Sequence, residues 1–132
     1  MSQIIVDEQL TYRLVVEPIR KWITASRIRE LRPRQIIKDD RILQILCELK
    51  QPTFVTIDAG FYDKRNRDKR YCILYFALTT RQQGQIPNLL RRLLRLPFFR
   101  TKADRMGKVA QVKPTTVTYW QPGDDELHEL EF

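Results

Sequence analysis

Two short apolar runs that each stop on an aspartate constrain this chain more than any other feature. Ile4-Ile5-Val6 ends at Asp7, and Phe54-Val55-Thr56-Ile57 ends at Asp58. Both are rich in β-branched residues and too short for a stable helix, which marks them as buried strands. Between them Leu10, Leu14, Ile19 and Ile23 recur near helical spacing, with Pro18 placed to kink or restart that helix. Arg27 to Leu31 reads as a second strand and Arg32-Pro33-Arg34 as a loop. From Asp39, the residues Ile42, Ile45, Leu46 and Leu49 line one face of a helix. Asp39 or Asp40 caps it, and Pro52 ends it.

The alternation continues downstream. Tyr62 to Arg70 is a polar loop, and Tyr71 to Leu78 is an apolar strand. A helix follows Gly84 and Gln85, with Ile86, Leu89, Leu90, Leu93 and Leu94 as its buried stripe and Arg91, Arg92 and Arg95 toward solvent. That pattern is the ordinary one for a helix covering a sheet, and a membrane-surface helix is the weaker reading of it. Lys108 to Lys113 and Thr115 to Trp120 read as two strands joined around Pro114. Strands alternating with helices call for an α/β fold: a largely parallel sheet, helices on both faces, and a closing antiparallel hairpin.

With 132 residues, 42% hydrophobic and 30% charged, the chain has the length and apolar content of one globular domain. The expected domain is 1–120. The segment 121–132 carries five acids and neither Lys nor Arg, so a mobile acidic tail is expected there. No apolar stretch is long enough to span a bilayer, and the opening MSQIIVDEQL lacks the basic leader of a signal or transit peptide. Cys47 and Cys72 have neither CxxC spacing nor histidine companions, which fits reduced thiols and a cytoplasmic setting without membrane contact.

The net charge of +8 is unevenly spread. Residues 64–108 hold 13 Lys and Arg against two acids, Asp68 and Asp104, a net +11 that leaves −3 for the rest. Such a segment suits a polyanion, or else a solvated surface. Lys64, Arg65, Arg67, Lys69 and Arg70 follow shortly after Asp58, where they could hold phosphates. Tyr62 and Tyr71 bracket that run, either as base-stacking rings or as ordinary loop and core aromatics.

Asp7, Asp39 and Asp58 fall at the same end of the expected sheet. Each alone is an ordinary turn former or cap. Together they would repel one another unless a cation neutralised them, and hard oxygen donors suit Mg²⁺ or Mn²⁺. The only histidine, His128, lies in the tail and is a bystander in this reading.

The segments IIVDEQL (4–10), DDRIL (39–43) and VTIDAGF (55–61), in that order, resemble the PIN-like nuclease domain, especially its short bacterial branch. That branch reads D-E-x-L after a first strand, then D-x-x-I-L, then T-x-D-x-D-F. The stretch GKVAQVKPTTVTYW (107–120) is similar to its terminal hairpin. The resemblance implies a three-layer α/β/α, Rossmann-like fold. It implies Asp7, Asp39 and Asp58 as the catalytic, metal-binding acids, with Thr56 as the hydroxyl beside them and Glu8 and Asp40 as supporting neighbours.

The implied activity is Mg²⁺- or Mn²⁺-dependent hydrolysis of RNA phosphodiester bonds. The implied role is the toxin of a bacterial toxin and antitoxin pair, with an antitoxin protein and a second copy of the chain as candidate partners. Where the family has a further aspartate two residues after the third acid, this chain has Gly60. The nearest acid is Asp63, which would have to reach in from the loop as a metal ligand. Gly60 therefore sustains an alternative, a catalytically silent PIN-like module that binds nucleic acid or a protein through its basic surface.

Overall fold

The computed structural model describes residues 3–35 and 37–132, with Asp39 described by its backbone alone. Among the described residues seven strands form one sheet: β1 (Gln3–Val6), β2 (Ala25–Arg27), β3 (Pro52–Thr56), β4 (Cys72–Phe76), β5 (Val109–Val112), β6 (Thr116–Trp120) and β7 (His128–Glu131). Their spatial order is β2-β1-β3-β4-β5-β6-β7. Every neighbouring pair from β2 through β5 is parallel, and β6 and β7 are added antiparallel. This is an α/β architecture compatible with a Rossmann-like fold.

Side-chain alternation divides the core in two. Ile4 and Val6 of β1, Val55 of β3, Leu74 and Phe76 of β4 and Val112 of β5 join one cluster. Val15, Val16 and Ile19 cover it, as do residues of the helix α4 (Ile86–Leu93). Ile5, Phe54, Ile73 and Val109 join the other, under Ile28 of α2 (Ile28–Leu31) and Ile42, Ile45 and Leu46 of α3 (Asp39–Glu48). Ile4, Ile5 and Val6 are fully buried. Each such side chain contributes roughly 1.5–3 kcal/mol relative to exposure.

Three local expectations change. At Pro18 the helix restarts without a gap and changes type as it does. The turn before it widens to a π-helix over Tyr12–Val16, closed by the Glu17 N–H donating to Tyr12 O, and α1 (Glu17–Arg20) continues with the proline in its first turn. A wider turn accommodates a ring that would otherwise collide with the carbonyl four residues back. The second strand is Ala25–Arg27, and 28–31 is helix α2. Ile28 and Leu31 there have helical spacing, and Glu8 Oε1 accepts the Arg29 N–H at 2.9 Å, satisfying a donor of that first turn.

The third change is at the C-terminal segment, whose last residues pair with β6. His128 lies opposite Tyr119 and stacks on it at 5.1 Å, Leu130 lies opposite Val117, and Leu130 and Phe132 pack against the first core cluster. Arg92 donates to Phe132 O and lies 4.7 Å over its ring. The period-2 burial of His128 and Leu130 makes 128–131 a strand despite its acids. No helix among the described residues is long and apolar enough to cross a membrane.

Candidate functional site

The strand order sets the address. From β1 the chain moves out to β2, then returns across β1 through α3 to β3 on the other side, so the order reverses between β1 and β3. Ligands of open α/β sheets bind beyond the strand carboxyl ends at such a reversal. Asp7 follows β1 and Asp58 lies two residues past β3, one on each side of it. Because α3 leads into the amino end of β3, its first turn, with Asp39 and Asp40, starts at this same edge.

One hydroxyl links the two described acids. The Asp7 N–H donates to Val55 O at 2.9 Å, which extends the ladder one residue and sets Asp7 beside Thr56. Thr56 Oγ1 donates to Asp7 Oδ2 at 2.7 Å and accepts the Asp58 N–H at 3.0 Å. Thr56 is fully buried and Asp7 is 4% exposed. Asp58 is half-buried and caps a 3₁₀ turn, Ala59–Phe61, accepting the Gly60 N–H on Oδ1 at 2.9 Å. Phe61 anchors that turn edge-on against Phe54, with ring centroids 5.1 Å apart.

Asp58, Gly60, Phe61 and Asn66 line a cavity of about 330 Å³ with Asp40 and Leu43 of α3. A Cβ at position 60 would lie 3.1 Å from Asp58 Oδ1, so a side chain there requires Asp58 to shift slightly. Glu8 is engaged with α2. Its carboxylate caps α2 and approaches Arg29 Nε at 3.8 Å, in a cavity of about 320 Å³ shared with Gln35 and Ile37.

Asp63 caps a second 3₁₀ turn, Lys64–Asn66, and both its oxygens are held by Arg65, with Nη2 to Oδ2 at 2.7 Å. That bonding lowers its pKa to about 2. Among the described residues no three Asp, Glu, His or Cys side chains stand together as a metal-binding group, so Asp7, Asp58 and Asp63 do not form one. The side chain of Asp39, the expected second acid, lies outside the described residues.

The expected phosphate-binding run is largely engaged within the fold. Arg65 pairs with Asp63, and Arg70 pairs with Asp68 at 2.7 Å. Arg67 Nη1 donates to the carbonyls of Gln121 and Asp124 at 2.7 and 2.6 Å, and Nη2 to Asp125 Oδ1 at 3.1 Å. Lys64 Nζ lies 3.9 Å from Asp125 and 5.3 Å from the Trp120 ring centre. Lys69 is exposed. Tyr71 is a core residue, while Tyr62 stacks on Tyr75 at 5.9 Å and hydrogen-bonds Thr118.

Two features carried a signal that a count of charges passes over. Asp63-Lys64-Arg65 and Asp68-Lys69-Arg70 repeat D-K-R, and in both the arginine folds back on the aspartate while its N–H donates to Oδ1. Asp58-Ala59-Gly60 likewise has the spacing of an aspartate that accepts the N–H two residues on. No family model, curated protein or solved structure matches the chain.

Proposed function

We propose that the chain is a PIN-like, metal-dependent ribonuclease that hydrolyses RNA phosphodiester bonds, acting as the toxin of a bacterial toxin and antitoxin pair. The observation that carries this reading is the hydrogen-bonded series Asp7–Thr56–Asp58 across the strand-order reversal. These are also residues on which the sequence resembles the family. Helices over both sheet faces and the antiparallel strands after β5 suit the layered PIN-like fold.

The donor set fits a hard divalent cation: carboxylate oxygens of Asp7 and Asp58, with Asp39 as the third acid of the proposal. Mg²⁺ or Mn²⁺, when bound, supplies activation of water and stabilisation of charge on the leaving oxygen. The chain's own part is positional. Thr56 holds one Asp7 oxygen and the Asp58 N–H, so the Asp7 carboxylate and the Asp58 main chain keep a fixed spacing. Asp63 drops out of the ligand set in this reading, since Arg65 takes both its oxygens.

The test is cleavage of RNA by the purified chain with Mg²⁺ or Mn²⁺, against chelator and against Asp7→Asn and Asp58→Asn. Cleavage that needs the metal and is lost in both variants supports the reading. Metal-independent cleavage, or full activity in both variants, sinks it. Gly60 favours a second reading, a catalytically silent module of the same fold that binds nucleic acid or a protein partner. Nucleic-acid retention with neither cleavage nor metal binding selects it.

A further inference from the structure

From Tyr71 to Ala103 the sequence has no Asp or Glu, while Arg81, Arg91, Arg92, Arg95, Arg100 and Lys102 fall within it. That stretch holds six of the chain's net eight positive charges. The 64–70 run, by contrast, sits among Asp63, Asp68, Asp124 and Asp125. The surplus positive charge of this protein therefore lies on and around α4.

The fold presents that charge outward. Ile86, Leu89, Leu90 and Leu93 bury one side of α4, which leaves Arg91 and Arg92 exposed on the other, with Arg95 exposed two residues past its end. Arg81 in the turn before α4 and Arg100 in the loop after it are exposed too. Among the described residues no carboxylate lies within ion-pair distance of Arg81, Arg91, Arg95 or Arg100.

Aromatic rings accompany these cations. Arg91 lies 5.7 Å over Trp22, and Phe98, two residues before Arg100 in the chain, is 48% exposed with Lys108 5.8 Å from its ring centre. A surface that serves only solubility needs neither a one-sign stretch nor rings among its cations. The eight residues of α4 span about 12 Å, enough for successive phosphates of a strand.

We infer that the outer face of α4 and the following loop, centred on Arg91, Arg95 and Arg100, form a docking surface for a nucleic-acid phosphate backbone, with Trp22 and Phe98 as flanking rings. The surface contacts phosphates and reads no sequence. It stands apart from the strand-end acids and does not require hydrolysis. Its upstream end adjoins the loop after β1, where the Thr11 N–H donates to Gln83 Oε1 at 2.8 Å, so a bound strand can run toward Asp7.

The experiment measures fluorescence anisotropy of labelled 20-mers of oligouridylate and oligodeoxythymidylate with the full chain. Chelator is present throughout, from low to moderate salt, so the readout is independent of the proposed cleavage. The Arg91→Gln/Arg95→Gln/Arg100→Gln variant is expected to bind at least tenfold more weakly at low salt. Its log–log salt slope should be shallower by about 2, as three single-strand phosphate contacts give. Arg34→Gln/Arg41→Gln/Lys50→Gln removes equal charge elsewhere and should change affinity less than threefold.

Preference between the two 20-mers tells RNA from DNA as the source of the phosphates. If the triple variant fails to fold, the three single variants replace it, each expected to bind two- to threefold more weakly than the native chain. Equal losses in both triple variants, or no binding by the native chain, overturn the proposal. So does binding to phosphatidylserine vesicles with both oligonucleotides unbound.

Discussion

Thr56 Oγ1 and Asp7 Oδ2 are 2.7 Å apart across the carboxyl ends of two parallel strands, both in buried residues. Thr56→Val keeps the shape and removes the donor, leaving a buried carboxylate oxygen and the Asp58 N–H without this partner. Unfolding in urea should show a loss of about 1–3 kcal/mol. Thr56→Ser should recover most of it. If valine is as stable as threonine, the hydroxyl does not hold the strand ends together.

Gly60 leaves room for a test by addition. Installing the acid that the PIN-like pattern carries, Gly60→Asp, brings a Cβ within 3.1 Å of Asp58 Oδ1 and requires that carboxylate to move slightly. If the pocket takes a divalent cation, the added carboxylate should tighten Mn²⁺ binding by calorimetry, at least tenfold relative to Gly60→Ala. Equal affinities for aspartate and alanine would count against a cation at this edge.

The D-K-R pairs give a pH dependence of known sign. The hydrogen bonds from Arg70 hold the Asp68 carboxyl at about 2, below the roughly 3.9 of an unfolded aspartate. A lowered folded pKa contributes stability fully present above about pH 4 and lost as pH falls toward 2. The melting temperature of the native chain should exceed that of Asp68→Asn at pH 6 by a small margin that closes by pH 2. High salt should narrow it too, because the pair is solvent-accessible. A gap that widens on acidification would contradict this assignment.

The segment after Trp120 belongs to the fold, so removing it should cost stability. Truncation there strips β6 of one of its two neighbouring strands, uncovers Val117 and Tyr119, and takes three hydrogen-bond acceptors from Arg67. Roughly 2–4 kcal/mol should be lost, the scale of uncovering one or two apolar side chains. Hydrogen exchange along β6 should accelerate. An unchanged melting temperature would mean that the strand does not hold in solution.

Much of the frame was legible because burial writes a strong period. Ile4 to Val6, Phe54 to Thr56 and the stripe of α4 announce themselves by apolar spacing, and the acids follow at strand ends. What escaped depends on partners distant in sequence. His128 and Leu130 read as polar tail until Tyr119 and Val117 lie opposite them. Arg105 and Lys108, counted among surface cations, are buried at the amino edge of the sheet and donate to carbonyls. Nothing in a run of basic residues tells a solvated guanidinium from one that holds a loop, because the acceptors are main-chain atoms.

Arg105 offers the last test. Its Nε donates to Thr53 Oγ1 at 2.9 Å and its Nη1 to Phe99 O at 2.9 Å, tying the loop after α4 to the start of β3. Burial pushes the neighbouring Cys72 thiol up to about 12, with Arg105 and Lys108 opposing the shift. At pH 8 Cys72 should therefore resist iodoacetamide in the native chain and react once it unfolds, while half-buried Cys47 reacts first. Arg105→Ala removes the donors that close this edge. It should destabilise the chain by about 3 kcal/mol, the scale of a cavity combined with unpaired buried acceptors, and speed Cys72 alkylation at least tenfold. If alkylation of Cys72 is unchanged in that variant, the arginine does not control opening at this edge, and its burial reflects packing alone.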